Sequence, residues 1–140
     1  MKNFFFLSLI SLFLFSCSSI QETISVRDDA VLAKNLPLLN ITQYKYTDLD
    51  DLRILLDDYI KKYNSGVAFY KKSIKLYDRN EQIELNRQVE QFYIKENLLK
   101  ANIENMKLYY PQDWKRESVK VQKVFNTMFN IYHELYERLI

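Results

Sequence analysis

The sequence predicts an all-α protein. It reads as an elongated antiparallel three-helix bundle, with helices over about 47–78, 80–110 and 114–139, after a flexible N-terminal tether. Three observations carry this. Apolar residues recur at spacings of three and four through those ranges, the signature of one buried helical face. The chain has only one Gly and two Pro, too few for hairpin turns or phosphate-cradling loops, which need several residues at positive φ. The breaks at Asp78-Arg79-Asn80 and at Pro111 leave three segments of similar size, each roughly 40–45 Å at about 1.5 Å per residue. Short links between equal helices make antiparallel neighbours.

In the first helix, Thr47 is a candidate N-cap, and Asp48, Asp50 and Asp51 put negative charge where the helix dipole favours it. Leu49, Leu52, Leu56, Tyr59, Tyr63, Gly66, Tyr70 and Tyr77 form the stripe, with Ser73 a polar gap. Asn64-Ser65-Gly66 is its weak point, where a kink or break is expected because Gly costs about 1 kcal/mol against Ala. The second stripe is Leu85, Val89, Phe92, Leu99, Ile103, Met106 and Tyr110, interrupted by Glu96, whose carboxylate is expected to reach solvent or a cation. Pro111 ends this helix, since the residue before a proline is pushed out of the α region. Asp113 is a candidate cap for the third helix, whose stripe is Trp114, Val121, Phe125, Met128, Tyr132, Leu135 and Leu139. The one alternative is a rod: without a turn near Asn80, helices one and two would be continuous and the chain would form a coiled-coil homo-oligomer.

The chain begins with Lys2, then an apolar run from Phe4 to Phe15, too short to span a bilayer comfortably. Leu14-Phe15-Ser16-Cys17 follows. These residues resemble the lipobox of bacterial lipoproteins, with an aliphatic residue at −3, a small residue at −1 and the obligatory Cys, although Phe15 stands where a small residue is commoner. The resemblance implies that residues 1–16 are a lipoprotein signal peptide, that the Cys17 thiol carries a diacylglyceryl group, and that 17–46 is a lipidated tether with a packing segment before the bundle domain of 47–140. It also implies a cell-envelope location. Ser18, where inner-membrane retention uses Asp, favours the outer membrane. Cys17 is the only cysteine, and an Ala-x-Ala-like site of a plain secretory leader is missing. Ser18 to Asp29 reads as a spacer, and Ala30 to Ile41, with Pro37 inside it, as a short turn or extended segment packed on the body.

Composition excludes several function classes. One Cys and one His leave no disulfide framework and no His or Cys cluster for a metal. The net charge of +2 gives no electrostatic case for nucleic acid. His133 with Glu137 at i+4 supplies two ligands, which do not make a metal site. Asp50/Asp51 and Asp57/Asp58 are neighbours on one helix and point in different directions, unlike an acid–base pair across a substrate. No cofactor is called for, and the reading is non-enzymatic. The Lys61/Lys62 and Lys71/Lys72/Lys75 groups read as a solvated face.

The informative bias is aromatic, with eleven Tyr and one Trp. Tyr44, Tyr46, Tyr93, Tyr109 and Tyr136 do not all fit within three narrow seams, and surface aromatics are enriched at protein interfaces. Tyr109, Tyr110 and Trp114 are the most concentrated group and the first candidate for binding a protein partner. Tyr63 to Tyr70 also resembles the first helix of a tetratricopeptide repeat, but the positions 34 further on are Lys100 and Glu104, so the motif does not recur. That resemblance implies an accessory subunit of an outer-membrane assembly complex; a small surface adhesin is the other reading.

Overall fold

The structure is a computed structural model that describes residues 27–140. Helices make up 87% of these residues, with no strand among them, so the fold is an all-α bundle. A helical segment at 27–34 (α1) precedes three long helices, α2 (Leu49–Ile74), α3 (Arg79–Asn105) and α4 (Pro111–Leu139). Single 3-10 turns lie at Ile41–Gln43, Tyr46–Asp48 and Met106–Leu108.

The contacts fix the directions. Tyr59 meets Phe125 and Tyr70 meets Tyr132, so α2 and α4 run parallel. Phe92 meets Tyr132 while Arg138 donates to Gln88, so α3 runs against α4. α2 and α3 are therefore an antiparallel hairpin, and the continuous rod is ruled out. The hairpin is sharp because Asp78, one residue before α3, is its N-cap. The Asp78 carboxylate accepts from the backbone N–H groups of Asn80 and Glu81, both at 3.0 Å, which satisfies two donors that a helix start otherwise leaves open.

Other helix ends differ from the sequence reading. Thr47 is not the cap of α2: it lies within the 3-10 turn Tyr46–Asp48, which runs directly into the helix. Asp113 is not the cap of α4 either. Pro111 does not only end the preceding helix but opens the next as its first residue, where a missing N–H costs nothing. Nor does α2 break at Asn64-Ser65-Gly66; it is continuous through all three.

The core is aromatic. Tyr63, Tyr70, Tyr132, Phe92 and Phe125 are fully buried. Tyr132 stands at its centre, 4.5 Å from the Tyr63 ring, 5.0 Å from Tyr70 and 6.1 Å from Phe92. These separations are in the range where ring pairs add about 0.5–1.5 kcal/mol each beyond area burial. Burial pushes the Tyr63, Tyr70 and Tyr132 hydroxyls well above the ordinary phenol range.

Ala30 to Ile41 packs on the body as expected, and the departure is one of extent: residues 27–29, read as spacer, belong to α1, and the whole stretch 27–46 is a strap laid along the groove between α2 and α4. Ala30, Ala33 and Ile41 are fully buried. A partly irregular chain buried there needs donors for its carbonyls, and side chains of the long helices supply them. The Tyr132 hydroxyl donates to Ala30 at 3.0 Å, Tyr59 to Pro37 at 2.8 Å, Gln122 to Leu39 at 2.9 Å and Trp114 to Tyr44 at 2.7 Å. In return, the Ile41 N–H donates to Gln122 Oε1 at 2.5 Å.

Candidate functional site

The α3–α4 junction and the 3-10 turn before α2 meet at one end of the bundle. Here Tyr109, Tyr110 and Trp114 come together as the sequence led us to expect, but with unequal roles. Trp114 is only 5% exposed. Its indole N–H is spent on Tyr44, and its ring lies against Tyr109 at 6.3 Å and 31°. Trp114 is thus a core residue that clamps the strap, not a surface contact. Tyr109 is half-buried, with its hydroxyl pushed up chiefly by burial and secondarily by Glu117. Its carbonyl accepts from the Tyr46 hydroxyl at 2.8 Å, which ties the strap to the α3–α4 link.

Tyr110 is the outward member, 67% exposed, and the neighbouring Leu108 is 75% exposed. Tyr46 completes the surface. A hollow of about 290 Å³ lies beside it, lined by Tyr46, Thr47, Leu49, Asp50, Met106 and Lys107. Leu108 was missed because its position in a 3-10 turn takes it off the α-helical stripe; its sequence signal is only that it follows the buried Met106. This end can present apolar and aromatic area with a polar rim, the composition of a small protein-binding surface.

The remaining candidates have structural partners. His133 stacks on Phe129 at 3.9 Å, and its two ring nitrogens lie 2.8 Å from the Phe129 carbonyl and 2.9 Å from the Lys34 carbonyl. Its contacts join α1 to α4. Asp50 accepts from Arg53 and Asp58 from Lys62. Among the described residues no group of three or more His, Cys, Asp or Glu is placed to hold a metal.

Glu96 is the exception among carboxylates, being buried at 2% exposure. It reaches a cation, as expected, but not solvent. Oε1 accepts from Lys100 Nζ and from Asn64 Nδ2, each at 2.7 Å. Oε2 is buried without a hydrogen-bond partner among the described residues, as is the Tyr63 hydroxyl.

Cys17 lies outside the described residues. No helix among those described is long and apolar enough to cross a membrane. No family description matches this chain, and comparison with curated proteins and with solved structures finds no significant match.

Proposed function

We propose that this chain is a membrane-anchored bacterial lipoprotein with a non-enzymatic helical module that binds another protein. Membrane lipid is engaged through an acylated Cys17, and the surface around Tyr46, Leu108 and Tyr110 is the contact for the protein partner. The observation that carries the reading is Leu14-Phe15-Ser16-Cys17 at the end of an apolar leader, with the only cysteine of the chain at the lipobox position. Two or three acyl chains give stable attachment, since each buried CH₂ contributes about 0.8 kcal/mol. The placement is the cell envelope, with the outer membrane favoured by Ser18.

The test compares wild type and Cys17→Ala in a host that processes lipoproteins. The wild type takes up labelled palmitate and partitions into detergent, and the variant does neither. A Cys17→Ala chain that still labels and partitions overturns the proposal.

A further inference from the structure

The link between α2 and α3 forms the other end of the bundle, away from Tyr110, and it carries an exposed leucine on a rigid turn. Leu76 is 87% exposed. The turn beneath it is held on every side: Asp78 caps α3, Gln82 Nε2 donates to the Tyr77 carbonyl at 2.7 Å, and the Tyr77 hydroxyl donates to the Arg138 carbonyl at 3.0 Å. A side chain so exposed on so fixed a support is not explained by the fold. Around it stand Lys75 and Arg79, with Lys71 one turn back over the Tyr93 ring, while the carboxylate of Asp78 is occupied with backbone N–H groups. Ile83, in the second turn of α3, is also exposed.

We infer that this turn rests on the bilayer that holds Cys17, with Leu76 inserted among anionic headgroups and the neighbouring cations paired to them. The inference rests on the lipid-anchor reading above and adds an orientation to it. Two further observations favour a bilayer as the occupant. First, the strap runs from Tyr44, beside Trp114, back to Ala30, beside Tyr132, so the chain leads towards the α2–α3 end as it is traced to Arg27. Ala30 lies level with Gly66 through their shared contact Tyr132, and the eight residues from there to Ile74 rise about 12 Å. The nine residues 18–26 span up to about 30 Å, so Cys17 reaches a membrane that touches Leu76. Second, Lys75 and Arg79 flank Leu76, and each Lys or Arg near an anionic surface contributes to attraction.

The test uses the full acylated chain in vesicles of phosphatidylethanolamine and phosphatidylglycerol. An environment-sensitive fluorophore is placed at Leu76→Cys or at Leu108→Cys, both exposed positions that leave the core intact. The label at position 76 is expected to shift blue and to be quenched by nitroxide lipid, while that at 108 stays open to iodide. Lys75→Gln is expected to lower the equilibrium for lipid contact at 76 by about fivefold. Equal access to iodide at both sites, in protein that remains on the vesicles, overturns the turn contact and spares the anchor. Protein that does not stay on the vesicles, or a Cys17 that itself takes the label, overturns the anchor reading. A blue shift at 76 without vesicles, together with disulfide-linked dimers of the unlabelled Leu76→Cys protein, assigns the turn to a second copy of the chain and overturns the inference.

Discussion

Tyr132 passes over the bare Cα of Gly66. The ring is fully buried, and its hydroxyl lies where a Gly66 Cβ would be, with Cζ only 2.8 Å from that position. The closeness has a purpose in the fold: beyond Gly66 the hydroxyl reaches the Ala30 carbonyl and fastens the strap. The single glycine of the chain is used not for a turn but for a crossing, in the middle of a 26-residue helix.

Gly66→Ala is therefore expected to destabilise the protein. Helix propensity alone would stabilise it by about 1 kcal/mol, but overpacking a rigid core costs about 1–3 kcal/mol, and the hydroxyl loses its acceptor if it moves away. Tyr132→Phe alone costs about 1 kcal/mol through the lost hydrogen bond to Ala30. The double variant is expected to be more stable than the sum of the singles, because removing the hydroxyl relieves the closest clash with the new methyl and leaves the ring a smaller shift to make. Denaturant unfolding of the four proteins measures this coupling; additive effects would show that the two residues do not compete for the space.

Glu96 gives a second prediction. Its carboxylate is 3% exposed while the Lys100 ammonium is half exposed. Lys100→Ala leaves a buried charge with one fewer partner and is expected to cost about 1–3 kcal/mol, the range for a charged hydrogen bond. Glu96→Gln, which keeps an acceptor for Asn64 and removes the charge, is expected to cost less. Urea unfolding separates the two, and a larger loss for Glu96→Gln would contradict the assignment.

The tyrosine core sets a pH response. The Tyr63, Tyr70 and Tyr132 hydroxyls are all raised from the ordinary value of 10.0 by burial. A group with a raised folded pKa contributes fully below its unfolded pKa and loses that contribution as pH climbs towards the folded value. Stability attributable to these residues is thus complete at neutral pH and falls above pH about 10, by about 1.4 kcal/mol per pH unit for each tyrosine. Tyrosinate absorbance and helical circular dichroism are expected to change together in an alkaline titration. Eleven tyrosines ionising near pH 10 with the helices intact would contradict a buried core.

At the aromatic end, surface and support separate by mutation. Leu108→Ala and Tyr110→Ala are expected to change stability by less than about 0.5 kcal/mol and to lower recovery of a crosslinked partner from cell envelopes. Trp114→Ala is expected to cost about 3–5 kcal/mol because it empties a core position and frees the strap. Thermal unfolding beside the crosslinking yield checks both. Full recovery of the partner with Leu108 and Tyr110 both replaced would remove this surface from the proposal.

The three long helices were legible because burial on a helix repeats at three and four residues, and Leu52, Phe92 and Phe125 are fully buried where the stripes put them. That Ala30 to Ile41 packs on the body was legible, but the way this strap is held was not. Its stability comes from Tyr59, Trp114, Gln122 and Tyr132, donors that lie 22 to 102 residues away from the carbonyls they satisfy, and such bonds leave no period in the strap itself. The surplus tyrosines were the available signal: Tyr59 and Tyr132 read as core stripe residues, yet their hydroxyls reach back to the one segment without a helical pattern. Trp114 stood both on the apolar stripe of the third helix and in the aromatic group with Tyr109 and Tyr110, and its burial follows the stripe.

The central claim is the lipid on Cys17, and intact mass spectrometry of the mature native protein tests it most directly. The account predicts a chain that begins at Cys17 and carries diacylglycerol on its sulfur, with or without a further acyl group on its amine. A free thiol at Cys17, or a chain that still begins at Met1, contradicts it.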